Sequence, residues 1–175
     1  MKSTGMIRRI DELGRVVIPK EIRKTMNLKE GAELSIYTQD EKLVFEKYSA
    51  LRSFKELAEE TAVILRNTIG LDTIMVDSEK VIVAESVHRE KLGEPIALSL
   101  LRALEERKPQ IVVNGIIEIT KNDPVKYSAI AVSPIVVSGD LIGGLICFSA
   151  QTTPTNSDLK SMSVITSYIA SKLEF

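Results

Sequence analysis

The stretch Asp11-Glu12-Leu13-Gly14-Arg15-Val16-Val17-Ile18-Pro19-Lys20-Glu21-Ile22-Arg23-Lys24 decides how the first fifty residues read. A turn, a strand, a helix start and a group of cations follow one another within it. Gly14 can take the positive φ that a tight turn requires, where any Cβ is penalised. Val16, Val17 and Ile18 favour extended backbone. Pro19 ends that strand and suits the first helical position, where its missing N–H has no partner anyway. On a helix advancing about 100° per residue, Ile18, Ile22 and Met26 share one side. Lys20, Arg23 and Lys24 share the other.

Outward from this stretch, residues 4–11 and 15–18 read as strands and 19–26 as a short helix. Lys29-Glu30-Gly31 is a turn, and strands near 33–38 and 42–47 meet at Gln39-Asp40-Glu41. Arg8 and Arg9 alternate sides of the first strand, so only one of them shares a face with Met6 and Ile10. A segment below ~60 residues buries too little surface to stand robustly alone. Without a disulfide or a metal to staple it, a second copy is the remaining support. An obligate dimer is expected, and in it every cation appears twice.

The 175-residue chain has a formal charge of −1, which hides an asymmetry. Residues 1–30 carry eight Lys/Arg against four Asp/Glu, whereas residues 51–175 carry thirteen against sixteen. A basic head on an acidic body points to a polyanionic partner for the head. The single cysteine, Cys147, excludes an internal disulfide and a cysteine zinc cluster, and the single histidine, His88, excludes a histidine-rich metal site. No apolar run approaches the ~20 residues of a membrane helix. The first residues lack the apolar stretch of a signal peptide, so a cytoplasmic protein without a membrane partner is expected.

Tyr48-Ser49-Ala50 reads as a junction. Beyond it, Leu51, Phe54, Leu57, Ala58, Ala62, Leu65 and Ile69 recur at helical spacing up to Gly70. Strand-like runs cover 73–76 and 80–84, a helix is expected over 95–107, and 110–114 and 116–120 look extended. Residues 128–137 and 141–149 form the clearest hairpin, turning at Ser138-Gly139-Asp140. A last helix follows Pro154, with Leu159, Met162, Ile165, Ile169 and Leu173 on one face. This order predicts an α+β fold with helices packed on an antiparallel sheet. No catalytic, phosphate-binding or metal motif stands out, so neither an enzyme nor a cofactor is expected. Cys147 reads as a small core residue and His88 as a surface residue.

The residues Lys2-Ser3-Thr4-Gly5, Arg8 through Pro19, and Glu21-Ile22-Arg23-Lys24 resemble the N-terminal domain of the AbrB family of bacterial transition-state transcription regulators. The resemblance covers about residues 2–48. It implies a swapped-hairpin β-barrel in which two chains interleave their strands to bind double-stranded DNA. The family's DNA-contacting arginines carry over to Arg8, Arg15 and Arg23, and Arg9 occupies a basic position. A fourth family arginine corresponds to Lys24, which keeps the phosphate attraction and loses the planar fork.

The run from Pro134 to Phe148, with Gly139, Gly143 and Gly144, resembles the closing hairpin of a GAF domain. With the head and the length, the whole chain resembles the sporulation regulators of the family. That implies an AbrB-like domain over 1–50 and a GAF-like sensor and oligomerisation domain over 51–175. It implies a sequence-selective regulator of sporulation genes, acting as activator or repressor. A small-molecule effector would lie near the polar loops 85–94 and 121–127; plain loops over a filled core are the other reading. The stripes over 51–69 and 159–173 either only cover the sheet or also pair with copies, which would give a homotetramer. The alternative for the whole is an antitoxin-like swapped-hairpin protein whose partner is a toxin protein.

Overall fold

In a computed structural model of the chain, residues 5–173 are described, apart from 27, 122, 124 and 126. The chain divides into two compact units, Met1–Tyr48 and Ser49–Phe175.

In the first unit Gly14 has φ +76°, as the turn demands, and its N–H donates to the Asp11 carbonyl at 2.9 Å. Helix α1 covers Lys20–Thr25. Pro19 stands just before it, in extended backbone (φ −57°, ψ 148°), and its carbonyl accepts the Arg23 N–H at 3.0 Å. Strands β1 (Leu34–Gln39) and β2 (Lys42–Lys47) form an antiparallel hairpin. Its two-residue loop, Asp40 and Glu41, is left-handed at both positions (φ 48° and 61°), which matches the twist of the strands it joins.

The first unit departs from the sequence expectation in two places. The described part of 4–11, and 15–18, are not strands; residue 4 lies outside the described residues. Strand ladders need a neighbouring backbone, and within one chain the backbone-to-backbone bond given between these segments is that of the Asp11 N–H to the Arg15 carbonyl, 3.0 Å. The side of α1 formed with Ile18, Ile22 and Met26 does not seal a core either, since α1 contains no buried residue. It borders an open groove of about 380 Å³, lined also by Met6, Val16, Leu34 and Phe45.

The second unit is a five-stranded antiparallel sheet in the order β4-β3-β7-β6-β5. Its strands are β3 (Asp72–Asp77), β4 (Val81–Ala84), β5 (Gln110–Ile117), β6 (Tyr127–Val137) and β7 (Asp140–Phe148). One face carries α2 (Ala50–Ser53), α3 (Lys55–Ile69) and α5 (Asn156–Leu173), packed through Leu51, Ala62, Leu65, Met162 and Ile169 on Met75, Ala131, Leu145 and Cys147. The other carries α4 (Leu98–Glu105), with Leu100 and Leu104 against Ile74, Ile130, Ile146 and Phe148. Successive residues of the central strands therefore face opposite layers, both apolar, which explains their near-continuous hydrophobic runs.

The β6–β7 hairpin turns through Ser138 (φ 49°) and Gly139 (φ 86°), as expected. Gly143 and Gly144 of β7 allow close packing. A Cβ on Gly143 would collide with the Val76 carbonyl and Leu51, and one on Gly144 with Leu104. Ser133 of β6 and Thr166 of α5, both buried, bond through their hydroxyls at 2.8 Å and satisfy each other inside the core.

The helix expected from 51 is interrupted at Phe54, and α3 ends at Gly70 (φ +70°). Helix α4 starts three residues after Pro95 because Pro95 and Ile96 bridge to Lys80 and Thr120 in extended backbone. Cys147 is fully buried, and burial pushes its thiol up to about 12. His88, expected on the surface, is mostly enclosed: its ring lies 4.9 Å from that of Phe148. It belongs to a short 3₁₀ turn over Ser86–Lys91 that lies in one of the loops expected from the sequence.

Candidate nucleic-acid interface

The turn at Gly14 is organised by one carboxylate. Asp11 Oδ1 accepts the N–H groups of Leu13 at 3.0 Å and Arg15 at 2.8 Å, and Oδ2 accepts Arg15 Nε at 2.7 Å. These bonds hold the Asp11 carboxyl below its usual range, the Arg15 backbone N–H contributing most and the Arg15 side chain next. Arg15 is thus anchored at Nε while its side chain remains 71% exposed. Its two terminal nitrogens are left to a partner. A guanidinium held this way loses less side-chain entropy on binding than one on a free stem.

The other expected site residues are all exposed. Arg8 borders the groove beside Met6 and donates from Nη1 to the Ile7 carbonyl at 3.0 Å. Arg9 does not line the groove. Arg23 and Lys24 stand in the last turn of α1, where cations also oppose the negative end of the helix dipole. Among the described residues no side-chain hydrogen bond or ion pair neutralises Arg9, Arg23 or Lys24. The five residues therefore belong to two pieces of backbone, the segment around the turn and α1, both in the first unit. A group of this kind suits phosphate contact by all five and base-edge contact by the arginines.

Asp11 is the residue that the sequence reading missed. Its signal was present: an Asp four positions before an Arg, with a glycine between them to close the turn. Among the described residues no group of three or more His, Cys, Asp or Glu side chains could hold a metal. No described helix is long and apolar enough to cross a membrane.

Comparison with known proteins bears on both units. The family described as Stage V sporulation protein T C-terminal, transcription factor, matches residues 53–174. Residues 7–52 match the family described as Antidote-toxin recognition MazE, bacterial antitoxin. Stage V sporulation protein T of Bacillus subtilis (strain 168) is 34% identical over an alignment of 184 positions, gaps included, which covers 99% of each chain. The transition state regulatory protein AbrB of the same organism is 56% identical over 48 residues, 27% of this chain and half of that protein. Among solved structures, the PixJ GAF domain of Thermosynechococcus elongatus covers 73% of this chain with 89% of its own length, at a TM-score of 0.55 and 19% identity. That likeness is one of fold.

Proposed function

This chain belongs to the family of stage V sporulation protein T, and on that premise we propose that it is a transcription regulator that binds double-stranded DNA through its first unit. The observation that carries the proposal is the exposed group Arg8, Arg9, Arg15, Arg23 and Lys24, with Arg15 anchored on Asp11. Phosphate contacts supply most of the affinity, and the arginines read base edges in the major groove. The regulated genes are those of sporulation, and the protein acts in the cytoplasm, where its DNA is.

A homodimer of first units accounts for the open groove and for the exposed apolar residues Ile7, Ile10, Leu13 and Val17. The partner's residues 5–18 would complete the ladder that one chain leaves unmade. Arg8, Arg15, Arg23 and Lys24 would then present eight cations on one surface. The second unit carries a further apolar face, with Val63 and Ile64 on α3 and Val164 and Tyr168 on α5 exposed. Pairing of these helices with a second copy would make a homotetramer, and a monomeric second unit in sedimentation would count against it. The GAF fold supports a small-molecule effector for the same unit.

Salt dependence tests the DNA-binding reading. With about six cations neutralising phosphates, log K falls against log salt with a slope of about −5. A flat dependence overturns the reading. The match of residues 7–52 to the antitoxin family favours a second reading, in which the first unit's main partner is a toxin protein. Tight binding of the purified chain to promoter DNA, with no other protein present, decides for the first reading.

A further inference from the structure

At the 3₁₀ turn of Ser86–Lys91 the second unit gathers a set of ionisable side chains that the DNA interface does not use, with Glu85, Lys91 and Asp123 buried and Arg66, Asp72 and Glu90 reaching solvent. Lys91 Nζ lies 2.7 Å from Asp123 Oδ1 and 3.9 Å from Glu90 Oε1; the Lys91 and Asp123 side chains are 4% and 0% exposed. Asp123 Oδ1 also accepts the Val125 N–H at 3.1 Å, while Oδ2 is buried without a hydrogen-bond partner among the described residues. His88 Nε2 lies 3.1 Å from Asp72 Oδ2 without hydrogen-bond alignment, and its Nδ1 lies 3.8 Å from Glu90 Oε1. Arg66 pairs with Glu85 and stands 3.8 Å from Asp72. The rings of His88 and Tyr127 both lean on Phe148, at 4.9 and 4.6 Å.

Three features of this set point the same way. Buried polar atoms in native proteins are almost always satisfied, so the bare Oδ2 of Asp123 asks for a donor. Among the described residues of this set the two buried carboxylates, Glu85 and Asp123, each pair with one permanent cation, Arg66 and Lys91, so Asp123 depends on the Lys91 ammonium for its counter-charge. Burial first, and then Asp123, Asp72 and Glu90, push the Tyr127 phenol up to about 12, so these acids act on one small region. A buried ion pair is also a poor device for stability, since apolar residues of the same volume commonly do as well.

We propose that Asp123, with the Phe148 and Tyr127 rings, forms a covered site for a small primary amine with an apolar body and no carboxylate, which Lys91 fills as the chain's own tethered ammonium. The inference rests on the reading of the second unit as a sensor and names its ligand class. The lysine stem brings Nζ to Oδ1 alone, whereas a free ammonium can donate to both oxygens of Asp123. The exchange replaces one ammonium by another, so charge balances and no covalent bond changes. The covering turn is suited to opening: 3₁₀ bonds are poorly aligned, and His88 (φ −124°, ψ 21°) breaks its regularity. Release of Lys91 frees that turn, and the neighbouring Arg66 on α3 can transmit the change to the helical layer.

Calorimetric titration of the full chain with phenethylamine, and separately with 3-phenylpropionate, tests the site. The amine is expected to saturate one site per chain, and the carboxylate not to bind. Lys91→Met should tighten amine binding at least tenfold by removing the internal competitor, and Asp123→Asn should abolish it. Amide hydrogen exchange over residues 86–93 of the unmodified chain should quicken with the amine, which keeps the test decisive if either variant fails to fold. Absence of amine binding, or equal binding of the two probes, overturns the site while leaving the salt-dependent binding of DNA as it is. Amine binding with unchanged DNA affinity supports the site and overturns the sensor reading instead.

Discussion

The two units differ in how far each completes its own interior. In the first, Ile7, Leu13 and Val17 are 87%, 75% and 74% exposed, and α1 buries nothing. In the second, residues of comparable character, such as Leu51, Ile74, Leu100 and Phe148, are at 0%. Apolar residues are plentiful in both, so composition does not make the difference. Size and layering do. A sheet covered on both faces encloses its central strands, while one hairpin and one six-residue helix leave a groove. The first unit reads as half of a fold whose other half is a second copy, and its cations then gain their number from that pairing.

The largest test of this contrast is dilution. Amides of α1, β1 and β2 should lose protection from hydrogen exchange as the full chain is diluted through its dimer dissociation constant. Those of β6 and β7 should keep theirs; protection of both units that ignores concentration would break the contrast. Next in size, Arg15→Ala or Arg23→Ala should each weaken DNA binding by about 100-fold, since each removes two contacts of ~1–3 kcal/mol from a dimer. Melting of the second unit should not move. Conversely, Gly143→Ala should destabilise the second unit by about 1–3 kcal/mol through its collision with Leu51 and β3, leaving DNA affinity of the folded protein unchanged.

The smallest effect sharpens the picture of the turn. Asp11→Asn keeps an acceptor for the backbone N–H groups and loses the charged partner of Arg15 Nε, so DNA affinity should fall by only a few fold, because this ion pair is exposed to solvent. Acid should act in the same direction. A carboxyl whose folded pKa is depressed contributes its stabilisation at neutral pH and loses it as pH falls through that depressed value. The Arg15 anchor should therefore hold at neutral pH and slacken only in acid, below the usual aspartate range. An NMR titration of Arg15 Nε–H would follow it.

Much of the second unit was legible because its signals are local. The left-handed pair Ser138-Gly139, the stripe of α5 and the two-faced strands each show within a window of about ten residues. The late start of α4 was not, because it depends on what the backbone meets elsewhere, at the Ile96–Thr120 bridge. The same holds for Lys91 with Asp123 and for His88 with Phe148: residues far apart in the chain, with no spacing rule to join them. In the first unit the turn and the cations were legible, and the strands over 4–11 and 15–18 were over-read. Valine and isoleucine there declare a wish for a ladder, and a single chain has nothing to pair with them.

Cys147 gives the second unit a clock. It is the only thiol in the chain, lies fully buried in β7 beneath the helical layer, and is held protonated by burial up to about 12. A thiol in that condition is silent to alkylating and disulfide reagents until β7 parts from α3 and α5. The rate at which such a reagent consumes it therefore counts openings of that core, one event per molecule. Because the first unit contains no cysteine, the count is blind to whatever the DNA-binding half is doing.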